Sequence, residues 1–202
     1  TGESGSEKLA ISSNSLTTTT YTYDAGGVLK SVTQFKDVNN DNVYNSGDIL
    51  KSQITYSGTK GNERISTIIN YYISGTIKSN SLYYYTVGGL NGPSSGNDTL
   101  SMVMEYDGET QDHVKTEYLY DGTSAPKREK ILNSISYRKD STQESSSIYA
   151  YDLSVASGGD GVSGTLDKVT TYNNTERDWS GDTYKKSESF YDGRESREKV
   201  AH

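Results

Sequence analysis

From Leu16 onward, apolar and polar residues alternate in short runs, each cut by a cluster of Gly, Asp or Asn. That is the pattern of strands joined by tight turns. It predicts strands at 16–24, 28–36, 49–57, 63–73, 76–87, 99–107, 113–121, 128–138, 145–153, 165–173 and 183–191. No window of ten or more residues keeps apolar groups at helical spacing, and the two prolines, Pro93 and Pro126, fall in loop-like stretches. The expectation is an all-β chain: an antiparallel meander of about eleven or twelve strands in an extended or twisted sheet, with a sandwich as the alternative. Residues 1–15 are small and polar. They read as a flexible or strand-donating arm ahead of a single β-rich domain over 16–202.

Strand ends carry a recurring corner. Its full form is Tyr-x-Tyr-Asp, as in Tyr21-Thr22-Tyr23-Asp24, Tyr118-Leu119-Tyr120-Asp121 and Tyr149-Ala150-Tyr151-Asp152. Weaker copies occur at Tyr56, Tyr106, Tyr172 and Tyr191. Tyrosines at i and i+2 share a strand face, and the Asp that follows accepts hydrogen bonds from the turn backbone. Several incoming strands then open on a basic residue and a short hydroxyl: Leu29-Lys30-Ser31, Ile77-Lys78-Ser79 and Val114-Lys115-Thr116. From Tyr23 to Tyr191 the corners step by 33, 50, 14, 31, 21 and 19 residues, an irregular repeat. Tyr21-Thr22-Tyr23-Asp24-Ala25-Gly26-Gly27-Val28-Leu29 resembles the YD repeat of bacterial Rhs-type and teneurin-like surface proteins, departing at Val28, where that family favours Arg. The resemblance implies a β-rich shell or extended sheet, outside the cell or exported from it.

Composition narrows the classes. Only 35 of 202 residues are Ile, Leu, Val or Phe, against 18 Tyr, 30 Ser, 22 Thr and 20 Gly. So small an aliphatic share borders on that of disordered chains; here it predicts an ordered sheet with a thin, tyrosine-lined interior. Net charge is −7 and the basic residues are scattered, which argues against nucleic acid as a partner. Apolar stretches run to about four residues, too short for a membrane-spanning helix. Zero Cys removes disulfides and thiol chemistry; a bacterial surface location is expected, with any signal peptide already removed.

The sharpest chemical motif spans Asp37 to Asp48. Asp37, Asn39, Asp41, Asn45 and Asp48 fall at positions 1, 3, 5, 9 and 12 of a twelve-residue loop, and Val43 at position 7 offers a backbone carbonyl. A hard cation such as calcium takes six to eight oxygens on this spacing. The loop resembles the dockerin type, with Asn42 at the usual Gly position and a strand rather than a helix after it. A structural calcium ion is therefore expected. Trp179 and Tyr84 are the candidates for stacking on a sugar ring. The Gly-rich runs 158–164 and 88–98 read as hairpin loops.

A catalytic constellation is not expected. The histidines are His113 and His202, and Asp112-His113 reads as a solvated pair. Nothing in the spacing of Glu105, Asp107 and Glu117 marks an acid/base pair. The functional expectation is an extracellular structural protein: a subunit of a bacterial surface fibre, matrix or sheath that associates with copies of itself through strand contacts. The alternative is a carbohydrate-binding or adhesin module.

Overall fold

The structure is a computed structural model that describes residues 17–87, 90–91, 98–108, 110–122, 129–152, 165–173, 185–192 and 199–200. Within them the alternation becomes thirteen strands: β1 (Thr17–Tyr23), β2 (Leu29–Lys36), β3 (Ile49–Ser57), β4 (Arg64–Tyr71), β5 (Ile77–Val87), β6 (Leu90–Asn91), β7 (Thr99–Asp107), β8 (Val114–Tyr120), β9 (Ile131–Tyr137), β10 (Gln143–Asp152), β11 (Thr165–Tyr172), β12 (Lys185–Asp192) and β13 (Lys199–Val200). All pairings are antiparallel and follow chain order, with the two-residue β6 pairing aside on β5. Every expected long strand is present, its ends displaced by three residues or fewer. The product is one open sheet; the sandwich alternative does not form. No helix among the described residues is long and apolar enough to cross a membrane. The predicted arm at 1–15 and the loop at 158–164 lie outside the described residues.

Each of the ten junctions between consecutive long strands carries the same irregularity. One residue near the start of the incoming strand has no partner: Lys30, Lys51, Ser66, Lys78, Ser101, Lys115, Leu132, Glu144, Asp167 and Lys186 in turn. Such β-bulges bend the strand and increase local twist. Beside every bulge the outgoing strand presents an aromatic ring. In eight junctions that ring faces an aliphatic residue, as Tyr23 faces Leu29, Phe35 faces Leu50, Tyr71 faces Ile77 and Tyr120 faces Ile131. Aromatic–aliphatic pairs of this kind are the unit of sheet stabilisation.

Strand alternation sorts these rings onto two faces. At the upper end of the sheet, where odd corners turn, Tyr23, Tyr56, Tyr85, Tyr120 and Tyr151 share the front face. At the lower end, Phe35, Tyr71, Tyr106, Tyr137 and Tyr172 share the back face. The upper series steps by 33, 29, 35 and 31 residues and the lower by 36, 35, 31 and 35. The repeat is thus far more regular than the Tyr-Asp corners suggest. Counting those corners interleaves the two series and omits Tyr85, Phe35, Tyr71 and Tyr137.

The interior is correspondingly thin. Buried apolar side chains among the described residues are Val32, Phe35, Tyr85, Val103, Tyr106 and Ile135. Polar ladders fill part of the rest, Gln34 to Ser52 at 3.2 Å and Asn70 to Ser79 at 3.1 Å on the lower front, while a third, Thr55 to Thr67 at 2.6 Å, lies exposed on the upper back. Adjacent repeats are tied by hydroxyls at the same offset. Tyr85 donates to the Ile65 carbonyl at 2.7 Å and Tyr151 to the Ile131 carbonyl at 2.9 Å. Carboxylates do the same for backbone N–H groups: Leu29 N–H donates to Glu63 at 3.2 Å and Leu100 N–H to Glu129 at 2.8 Å.

Candidate metal centre

The loop between β2 and β3 sits at the lower end of the sheet and is built from side chains binding their own backbone. Asn39 Oδ1 accepts from Asp41 N–H at 3.1 Å, Asp41 Oδ1 from Val43 N–H at 2.7 Å, and Asn45 Oδ1 from Gly47 N–H at 3.1 Å. These are three successive Asx turns, the conformation that Asn and Asp favour most. Asn40 and Asn42 take left-handed backbone, with φ of 60° and 58°. Asn tolerates this region better than other side-chain-bearing residues, so Asn42 meets the conformational demand usually left to Gly.

Asp48 clasps the loop: its Oδ1 accepts from Val38 N–H and its Oδ2 from Asn45 N–H, both at 2.9 Å. The Tyr44 ring lies 5.3 Å from that of Phe35, which is fully buried. The loop is therefore seated on the first lower corner of the repeat.

All six predicted ligand residues lie in this one loop, and two of its features bear on a cation. Asp37 is only 3 % exposed; its Oδ2 accepts from Asn42 N–H at 2.6 Å, while its Oδ1 is buried with no hydrogen-bond partner. An ionised carboxylate oxygen left so costs free energy that a cation would recover. Asp41 Oδ2 and the Val43 carbonyl also converge on a single donor, the Asn45 amide nitrogen, at 3.1 and 3.2 Å. The donor set is all oxygen, and each Asp48 oxygen keeps a second lone pair beyond its N–H contact. That chemistry fits calcium. Among the described residues no three His, Cys, Asp or Glu side chains are gathered tightly enough to hold an ion by themselves. An ion held here would therefore have to draw on the Asn amides and the Val43 carbonyl as well.

The other candidate residues are scattered. Tyr84 is half-buried in β5 opposite Met102, on the back face, and Trp179 lies outside the described residues. Glu105 and Glu117 are on opposite faces: Glu105 pairs with Lys115 at 3.1 Å, whereas Glu117 accepts from the Tyr137 hydroxyl at 3.1 Å. His113 Nδ1 is buried without a partner beside the exposed Asp112.

One buried cluster gave no sequence signal. Arg64 and Glu129 form an ion pair at 2.5 Å, and the guanidinium lies 4.9 Å from the Tyr85 ring centre. Burial disfavours the Arg64 charge, but hydrogen bonding to Glu129 and then Tyr85 outweighs it and raises the pKa. The partners are 65 residues apart; Arg64 opens β4 and Glu129 lies two residues before β9, four steps away in the sheet, which no local pattern encodes.

No family model matches the chain, and no curated protein matches it in sequence. Among solved structures, a porin-like protein from Bacteroides uniformis is similar at 11% identity and a TM-score of 0.24, over 92% of this chain and 87% of that one. A likeness of that size carries no argument about fold or function.

Proposed function

We propose that this chain is a calcium-stapled structural module of an exported bacterial surface assembly, related to the YD-repeat proteins, that associates with copies of itself through its open sheet edge. One observation carries the reading: among the described residues, the repeated hairpin unit ends in an edge strand with no strand partner and no charge. Repeat arrays bury each unit against its neighbours, so terminal strands are the natural sites of further association. The outer edge of β1 has no strand partner among the described residues, and its sequence, Thr17-Thr18-Thr19-Thr20-Tyr21-Thr22-Tyr23, holds no charge and no proline. Proteins that avoid edge pairing usually place Lys or Pro there. The opposite end carries Lys185, Lys186 and Glu188 in β12, and β13 covers only Tyr191 and Asp192. Calcium in the 37–48 loop would hold the first lower corner shut and fix β2 and β3 beneath that edge.

Negative-stain microscopy and light scattering, with calcium and then with chelator, test the assembly. Filaments or sheets are expected for the native chain and only monomers for Thr18→Lys/Thr20→Lys. Native protein that stays monomeric at every concentration, or lysine variants that assemble as well as the native chain, would refute it. Calcium is tested separately by thermal melting. With Kd near 10⁻⁴–10⁻³ M, calcium at about 1 mM should stabilise the native chain by about 0.4–1.4 kcal/mol and Asp41→Ala not at all. A melting temperature indifferent to chelator rules the ion out.

A further inference from the structure

Because the lower corners turn their aromatic rings to the back, the lower half of the front face is left polar, and a groove of about 550 Å³ opens there. Its floor includes the Asn70–Ser79 ladder. Its walls carry Lys51, Lys78 and Lys115, each the unpaired bulge residue of one of three successive lower corners. Those corners are two strands apart, about 9.6 Å, so the ammonium groups form a row across the strands rather than one knot of charge. Lys51 donates to the Thr17 hydroxyl and Lys115 is engaged by Glu105. Lys78 is exposed and its ammonium has no partner among the described residues. Between the lysines stand the carboxylates of Glu105 and Asp107, and at the rim stands the ring of Tyr72, which is 51 % exposed.

We propose that this groove binds a segment of an acidic, uronate-bearing polysaccharide laid across the strands. Such a ligand presents what each part of the lining can use. Its carboxylates meet the lysine row, with Lys78 as the uncommitted contact. Its hydroxyl groups donate to Glu105 and Asp107, and the apolar face of one sugar ring rests on Tyr72. The carboxylates also select against other polyanions. A phosphodiester chain offers them few donors and gains affinity mainly by neutralisation with unopposed Lys and Arg, whereas here two acids interrupt the row on a chain of net charge −7. A neutral glycan would leave Lys78 without a partner. The site lies within one chain and does not depend on self-assembly.

Isothermal calorimetry on the full chain separates these ligands. The probes are an oligogalacturonate, a cello-oligosaccharide of the same length, single-stranded DNA and phosphatidylserine vesicles. The oligogalacturonate is expected to bind, more weakly as salt rises. Lys78→Ala and Tyr72→Ala should each lower its affinity roughly threefold to fivefold, and Lys78→Arg should retain it. Both residues are exposed, so unchanged melting temperatures will show that the variants fold. The proposal is overturned if the acidic oligomer does not bind or binds no better than the neutral one. It is equally overturned if DNA or vesicles bind more tightly, or if neither alanine variant loses affinity.

Discussion

At the scale of single residues, the chain places charges where the thin interior gives them partners. Asp24 shows the exposed version. Its Oδ1 accepts from Gly26 and Val28 N–H at 2.9 and 3.0 Å, its Oδ2 pairs with Lys30 at 3.1 Å, and the Val28 and Lys30 bonds lower its pKa. Arg64 and Glu129 are the buried version, and there the stakes are higher. Both side chains are less than a tenth exposed; Glu129 also holds the Leu100 N–H, and Arg64 Nη1 has no hydrogen-bond partner. Removing one member of such a pair strands a charge in low dielectric, which costs more than the pair itself contributes. Arg64→Ala is therefore expected to lower unfolding free energy by about 3–5 kcal/mol, and adding Glu129→Gln should restore part of it. Urea melts of the single and double variants decide this. A double variant less stable than Arg64→Ala would show that the pair itself, rather than a stranded charge, carries the stability.

At the scale of the element, the working unit is an aromatic ring, the aliphatic residue it faces and the bulge beside them. Alternation has period two, so an added or lost residue sends every later side chain of a strand to the other face. The Lys78 bulge brings Tyr71 against Ile77 on one side of the shift while keeping Asn70 against Ser79 on the other. Lys78→Ala keeps the extra residue and loses only an exposed side chain, so it should change stability by no more than about 0.5 kcal/mol. Deleting Lys78 should cost several times as much, because the Tyr71–Ile77 pair or the Asn70–Ser79 ladder must break. Chemical denaturation of the two proteins compares them directly; equal stability would mean that the bulge is incidental.

The same unit explains what could be read in advance. Strand positions were legible because local alternation decides each one. The Asp- and Asn-rich turn over 37–48 was legible because its residues are consecutive in the chain. The basic-plus-hydroxyl strand openings were visible as a pattern, but their meaning as bulges needed the register. The regular repeat stayed hidden because Phe35, Tyr71, Tyr85 and Tyr137 are followed by Lys36, Tyr72, Thr86 and Arg138 rather than Asp. The groove was not legible, since its lysines come from three separate corners.

At the scale of the whole molecule, a single sheet about 48 Å across its eleven long strands has few aliphatic residues to bury, so tyrosines take much of that place and bring their hydroxyls with them. Burial raises the pKa of Tyr56, Tyr71, Tyr83, Tyr85, Tyr106 and Tyr118 above 10.0, and pushes Tyr120 up to about 12, with the charges of Tyr83 and Tyr118 adding to the effect. In the unfolded chain these phenols titrate near 10. Between about pH 10 and 12 the folded state consequently binds more protons than the unfolded one, and stability falls as pH rises. The contribution is complete below pH 10 and is lost as pH climbs through the folded values. On the acid side the sign reverses. Asp24, Asp140 and Glu188 have lowered pKa values through hydrogen bonds from Val28, Thr142 and Lys168 respectively. Their contributions hold above pH 4–5 and fade as pH falls through the folded values. These three are solvent-screened, while the tyrosines are set into the sheet and act together, so the alkaline limb should be the steeper. Absorbance at 295 nm and far-ultraviolet circular dichroism, followed together from pH 8 to 13, test this. The tyrosines set into the sheet should ionise above pH 10 and together with loss of the sheet signal. Ionisation of all 18 tyrosines in one step near pH 10, with the sheet signal unchanged, would show that the rings are not the interior of this fold.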